Sequence, residues 1–142
     1  MIRILLIILT LFFTACEEKS KPVIIKNSSL STPIRCISLN RLEVEPKFIS
    51  ELEKLYDFNS SCNYKLTISY KKDIVCNSSY NAVAKTTGKF PKSYLKFELR
   101  DGMTIVYSYY IDLYDNVDTE DIRDGFLKLK MDLVDISKKE KE

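Results

Sequence analysis

The chain is expected to fold as an α+β protein. The expected form is a two-layer sandwich, a mostly antiparallel four- to five-stranded sheet with two helices on one face. Three observations lead there. Residues 62–76 alternate apolar and polar, so one face of a long strand is greasy and the other wet. Residues 93–114 alternate in the same way on both sides of Asp101-Gly102, as in a hairpin. Two further segments, after Pro46 and after Asp118, repeat apolar residues at helical spacing. A one-sided sheet and one-sided helices bury their apolar faces against each other.

The first strand is expected within "RCISLNRLEVE". Ile37 and Leu39 have one parity there, and Leu42 and Val44 the other. A bulge near Asn40-Arg41 would put all four on one face. Pro46 suits the first position of a helix. Phe48, Ile49, Leu52, Leu55 and Tyr56 then form its apolar stripe, with Glu51, Glu53 and Lys54 off it. In the long strand, Cys62, Tyr64, Leu66, Ile68, Tyr70, Ile74 and Cys76 share a parity that Lys72 alone breaks, marking a bulge or the sheet edge. "YNAVAKTTGKF", with Ala82 and Ala84, is a weaker strand.

For the hairpin, an Asp101-Gly102 loop would leave Met103, Ile105 and Tyr107 facing away from the core. An Arg100-Asp101-Gly102 loop instead pairs Leu99 with Met103, Phe97 with Ile105 and Leu95 with Tyr107. It places Gly102 where a left-handed residue is needed. The second register is the expected one, because a slip of one residue turns a whole strand over. The last helix starts near Thr119. Asp118 caps it, Glu120 and Asp121 favour its positive end, and Ile122, Phe126, Leu129, Leu133 and Ile136 form its stripe. Gly125 lets the backbone approach the sheet.

The first residues have a different character. Arg3 is followed by an apolar run from Ile4 to Phe13, interrupted by Thr10. That is about half the roughly 20 residues of a membrane-spanning helix. A charged start, a short apolar centre and small residues before a break is the leader pattern. The break is Thr14-Ala15-Cys16, after which the chain turns polar. Phe13-Thr14-Ala15-Cys16 resembles the lipobox of the bacterial lipoproteins, with Phe where Leu is usual. The resemblance implies cleavage before Cys16, a diacylglycerol on its sulfur and an acylated amine. Two or three chains of this kind anchor stably where one is marginal. It implies no more than the first 16 residues carry. Glu17, where Asp would favour retention at the inner membrane, implies the outer membrane, with the domain in the periplasm.

The expected organisation is a leader over 1–15, a lipidated cysteine and flexible tether over 16–33, a single α+β domain over 34–137 and a charged tail over 138–142. As a flexible chain the tether would reach on the order of 25 Å. Alternatively, Pro22 to Ile25 within it adds an edge strand.

Three cysteines remain in an oxidising compartment, so one bridge is expected and one thiol is left over. Cys62 and Cys76 would stand about 45 Å apart along a straight strand, whereas a disulfide tolerates about 7 Å between Cα atoms. A parallel strand-helix-strand crossover would bring Cys36 and Cys62 together, and that pair is favoured over no bridge.

Basic and acidic residues nearly balance, at 22 and 20, and the leader removes Arg3. This argues against a nucleic-acid partner. The chain has no His, which rules out Ser-His-Asp and Cys-His catalysis and every His-ligated metal site. Without a Gly-rich loop either, no catalytic residue, cofactor or metal is expected and the protein is not read as an enzyme. Asp112, Asp115, Asp118, Asp121 and Asp124 lack calcium-loop spacing and read as solvated charges at the start of a helix. Tyr110 and Tyr114, with Val106, lie off the apolar parity of their strand and suggest an exposed contact strip. Asn27, Asn59 and Asn77 each begin an Asn-Ser-Ser triplet. Asn59 alone has an acid, Asp57, two residues earlier, the form that N-glycosylating bacteria use.

The element order resembles that of lipopolysaccharide-assembly and transporter-auxiliary lipoproteins. That resemblance implies a non-catalytic envelope component with a protein partner, held to the membrane by its lipid. The alternative is a surface-exposed interaction or adhesion lipoprotein.

Overall fold

The computed structural model describes residues 20–75 and 90–134. Along the chain it has β1 (Val23–Lys26), β2 (Ser38–Leu39), α1 (Pro46–Leu55), β3 (Tyr64–Lys71), β4 (Ser93–Asp101), β5 (Thr104–Leu113) and α2 (Thr119–Leu133). The strands form one five-stranded sheet in the order β1-β5-β4-β3-β2. All neighbours are antiparallel except β2 and β3, which the α1 crossover joins in parallel. The molecule is therefore the α+β fold that the alternation and helical stripes predict. The leader, Cys16, the strand expected around Ala82 and Ala84, Cys76, Ile136 and the tail all lie outside the described residues.

β1 takes the alternative, an edge strand within the expected tether. Val23 to Lys26 pairs with Tyr110 to Tyr107, so the folded unit begins well before Ile34. The linker after it is tied down as well. Leu30 and Ile34 are buried, and the Ile34 amide donates to the Leu133 carbonyl at 2.8 Å. The first expected strand is shorter than its sequence suggested. Only Ser38 and Leu39 pair, the chain turns at Leu42-Glu43, and Glu43 adopts a φ of 62°. Leu42 consequently points into solvent while Ile37 and Val44 reach the core.

α1 begins at Pro46, whose missing N–H lies among the donors that no helix can satisfy internally. Phe48 and Leu52 are fully buried, and Ile49, Leu55 and Tyr56 partly so. Glu51, off the expected stripe, is buried too, because α2 crosses there. β3 ends at Lys71, short of the expected span. Asp73 has a φ of 52°, a left-handed conformation that Asp tolerates. Its amide and carboxylate are held by the Asn116 side chain at 3.1 and 3.0 Å.

The hairpin departs from the expected register. Its loop is Gly102-Met103, with Asp101 opposite Thr104 and a φ of 57° at Gly102. Glycine at the first central position is what a two-residue loop of the II′ kind requires. The ladder then shifts between Leu99 and Arg100, so that Leu99 faces Tyr107, Phe97 faces Tyr109 and Leu95 faces Ile111. Val106 is the extra residue of this bulge, and both it and Tyr107 are buried. The expected register kept every apolar side chain inside. The bulge instead leaves Ile105 outside and Met103 93% exposed at the loop tip, while the larger Tyr107 and Tyr109 take the core.

α2 is capped as its sequence predicts. Asp118 accepts from the Glu120 and Asp121 amides at 2.8 and 3.0 Å, and Asp121 returns the bond to the Asp118 amide at 3.0 Å. Ile122, Phe126, Leu129 and Leu133 are fully buried against Leu66, Leu95, Phe97 and Leu99 of the sheet. Each such side chain contributes about 1.5–3 kcal/mol.

Candidate functional site

Strand alternation that fills the core on one side of the sheet dictates what stands on the other. The inward positions of β4 are Ser93, Leu95, Phe97 and Leu99, all fully buried. The intervening residues Tyr94, Lys96, Glu98 and Arg100 therefore point outward. Pairing aligns Ser108, Tyr110 and Asp112 of β5 with them, and Lys65, Thr67, Ser69 and Lys71 of β3 on the other flank. β1 adds Val23 opposite Tyr110 and Ile25 opposite Ser108, 57% and 66% exposed. Among the described residues no helix covers this face, since α1 and α2 pack on the opposite one.

An aromatic pair marks one end of it. The rings of Tyr94 and Tyr110 stack with centroids 5.7 Å apart and planes 26° from parallel. The Tyr110 hydroxyl donates to Asp112 Oδ1 at 2.7 Å, and this bond, with burial, pushes its pKa up to about 12. Beside the pair Glu98 lies between two cations. It bonds Lys96 on one oxygen and Arg100 Nη2, 3.1 Å away, on the other. The Lys96 hydrogen bond does most to hold this carboxyl below the ordinary glutamate range. Counted over the face, Lys65, Lys71, Lys96 and Arg100 outnumber Glu98 and Asp112. The surface is thus amphipathic, with a stacked aromatic pair at one end, an aliphatic edge at β1 and cations spread along β3 and β4.

The expected contact strip is only partly assembled. Tyr110 belongs to the face, Tyr114 is exposed just past the end of β5, and Val106 is buried by the bulge. Tyr94, Val23 and Ile25 were not singled out in the sequence. Tyr94 could have been found there, since it alternates with the inward residues of β4; the β1 residues were offered as an alternative edge strand, but four mostly exposed residues do not show which face they join.

Cys36 and Cys62 are joined by a disulfide, with Cα atoms 5.9 Å apart where the strand-helix-strand crossover brings them together. A groove of about 280 Å³ beside it is lined by Pro33, Ile34, Arg35 and Tyr64 among others, just below the roughly 300–1,000 Å³ of small-molecule sites. Asn59 is exposed in the turn after α1, its side-chain oxygen accepting from the Ser61 amide and hydroxyl at 3.0 and 2.6 Å. Asn27 makes the same pair of bonds with Ser29, and Asn77 lies outside the described residues. The acidic run is dispersed into separate tasks: Asp112 bonds Tyr110, while Asp118 and Asp121 cap α2. Among the described residues, no His, Cys, Asp and Glu side chains group so as to hold a metal ion, and no helix is long and apolar enough to cross a membrane. Compared with known proteins, the chain matches no family model, no curated protein and no solved structure.

Proposed function

We propose that this protein is a lipoprotein of the bacterial envelope. Cys16 carries the acyl groups and the outer membrane holds them. The domain stands on the periplasmic side as a non-catalytic accessory to an assembly or transport complex. The observation that carries this reading is the apolar leader ending in Phe13-Thr14-Ala15-Cys16, followed almost at once by a folded domain. Ser20, four residues on, already donates its hydroxyl to the Asp112 carbonyl. The Cys36–Cys62 bridge suits an oxidising compartment.

Mass spectrometry of the N-terminal peptide from membrane-purified protein tests the anchor. The expected peptide begins at Cys16 and carries a thioether-linked diacylglycerol and an amide-linked acyl chain. A bare thiol, or a retained leader, overturns the proposal. Crosslinking in cells then tests the role, with capture of a membrane assembly or transport complex expected. Cleavage of the domain by protease added to whole cells would put it on the cell surface and replace the accessory role with adhesion.

A further inference from the structure

We infer that the uncovered sheet face is a membrane-contact surface, laid on anionic phospholipid headgroups by the anchor that holds the chain. This rests on lipidation of Cys16. The first argument is reach. Ser20 bonds the Asp112 carbonyl at the β1–β5 side of the sheet, and Cys16 is four residues away. Four extended residues span at most about 14 Å. A domain of this size is roughly 30 Å across. The surfaces around Ser20 therefore meet the bilayer, and the solvent side of the helix layer does not.

The second argument is chemistry. Next to Ser20 and Asp112 stand Tyr110, its stacking partner Tyr94, and the exposed Val23 and Ile25. Amphipathic aromatic rings favour the headgroup level, with one end apolar and the other wet. Val23 and Ile25 gain a shallow apolar contact that they lack in water. Lys71 and Lys96 stand beside the aromatic pair, and Lys65 and Arg100 toward the other end of the same face, with Lys96 and Arg100 bonded to Glu98. Long stems of this kind lie along apolar surface while the charge stays in contact with water. The excess of cations over Glu98 and Asp112 complements an anionic leaflet. Each cation near such a surface strengthens binding roughly fivefold. The Glu98 carboxylate, already bonded to Lys96 and Arg100, repels the lipid less than a free one would.

The chain contains no Trp, so a single reporter can be placed on either layer. Tyr110→Trp puts one on the inferred contact face. Leu127→Trp puts one on the outer side of α2, where Leu127 is exposed. Each lipidated variant, shown by circular dichroism to keep the parent spectrum, is reconstituted into phosphatidylglycerol-containing vesicles with brominated acyl chains. The expected result is quenching and a blue shift several-fold greater at position 110 than at 127, with the difference shrinking in purely phosphatidylcholine vesicles. Flotation separates the two ways of failing. A chain that floats with the vesicles but shows equal quenching at both positions, as for a face reserved to a protein partner, overturns the contact surface and leaves the anchor standing. A chain that does not float removes both.

Discussion

Gly125 of α2 lies against the ring of Phe97 in β4, so close that a methyl group on its Cα would stand 2.6 Å from ring carbon Cε2. The Tyr109 ring would be 3.1 Å from the same methyl. Both rings are buried, so neither can swing aside. Alanine favours a helix over glycine by about 1 kcal/mol, but overpacking a well-filled core costs about 1–3 kcal/mol. Gly125→Ala is therefore expected to destabilise the domain by about 1 kcal/mol, read as a lower urea midpoint with unchanged slope. A stabilised variant would show that the layers are not in contact there.

The α2 cap makes a smaller claim. Asp118→Ala removes an acceptor for two amides, while the backbone amide at 118 still donates to the Asp121 side chain. A loss of about 1 kcal/mol is expected. For a domain of this size that is a fall of about 4 °C in thermal midpoint.

The Cys36–Cys62 bridge closes a loop over a sequence separation of 26. Chain entropy alone makes such a closure worth about 3 kcal/mol. The double substitution of both cysteines by serine is expected to lower the unfolding free energy by about that amount. Non-reducing peptide mapping should recover the linked pair.

Acid should weaken the contact between the helices. Arg123 reaches one oxygen of Glu51 through Nε at 2.8 Å and Nη2 at 2.6 Å, and Lys54 reaches the other at 3.2 Å. The Arg123 hydrogen bonds do most to hold this carboxyl below the ordinary glutamate range. A group with a depressed folded pKa contributes stability that is present above its unfolded pKa and lost as the pH falls through the folded value. Thermal melts from neutral pH to about pH 3 should show that loss. Glu51→Gln should be less stable at neutral pH and show a flatter curve on acidification.

Tyr110 tests the candidate face from the alkaline side. Its hydroxyl, donating to Asp112, titrates at about 12. A raised folded pKa contributes stability below the unfolded value, which is lost as the pH rises through the folded one. Asp112→Asn removes the carboxylate that is the main cause. The Tyr110 transition, followed by ultraviolet absorbance against a Tyr110→Phe control, should then move down toward the ordinary phenol range.

Much of this architecture was legible in the residues. Phe48 and Leu52 in α1, Leu66 and Ile68 in β3, and Ile122, Phe126, Leu129 and Leu133 in α2 are buried where their spacing put them. Asp118 caps where it was expected. The candidate face was half visible, through the parity of Tyr110. Its β1 edge was offered only as an alternative to the tether, because Val23 and Ile25 are mostly exposed and their pairing depends on an open edge supplied by β5, more than eighty residues later.

What the sequence determined by itself was therefore local: which segments have a period of two or of 3.6, where a helix starts, and which side of each element avoids water. Those properties follow from backbone geometry and hydrophobicity within a few residues of one another. Tertiary structure alone decided the hairpin register, the inward turn of Val106 and Glu51, and the choice of strand over tether for β1, with β5 as its partner. Those outcomes compare the packing of distant side chains, such as Tyr107 over Met103 opposite Leu99. No short window of sequence contains both sides of that comparison.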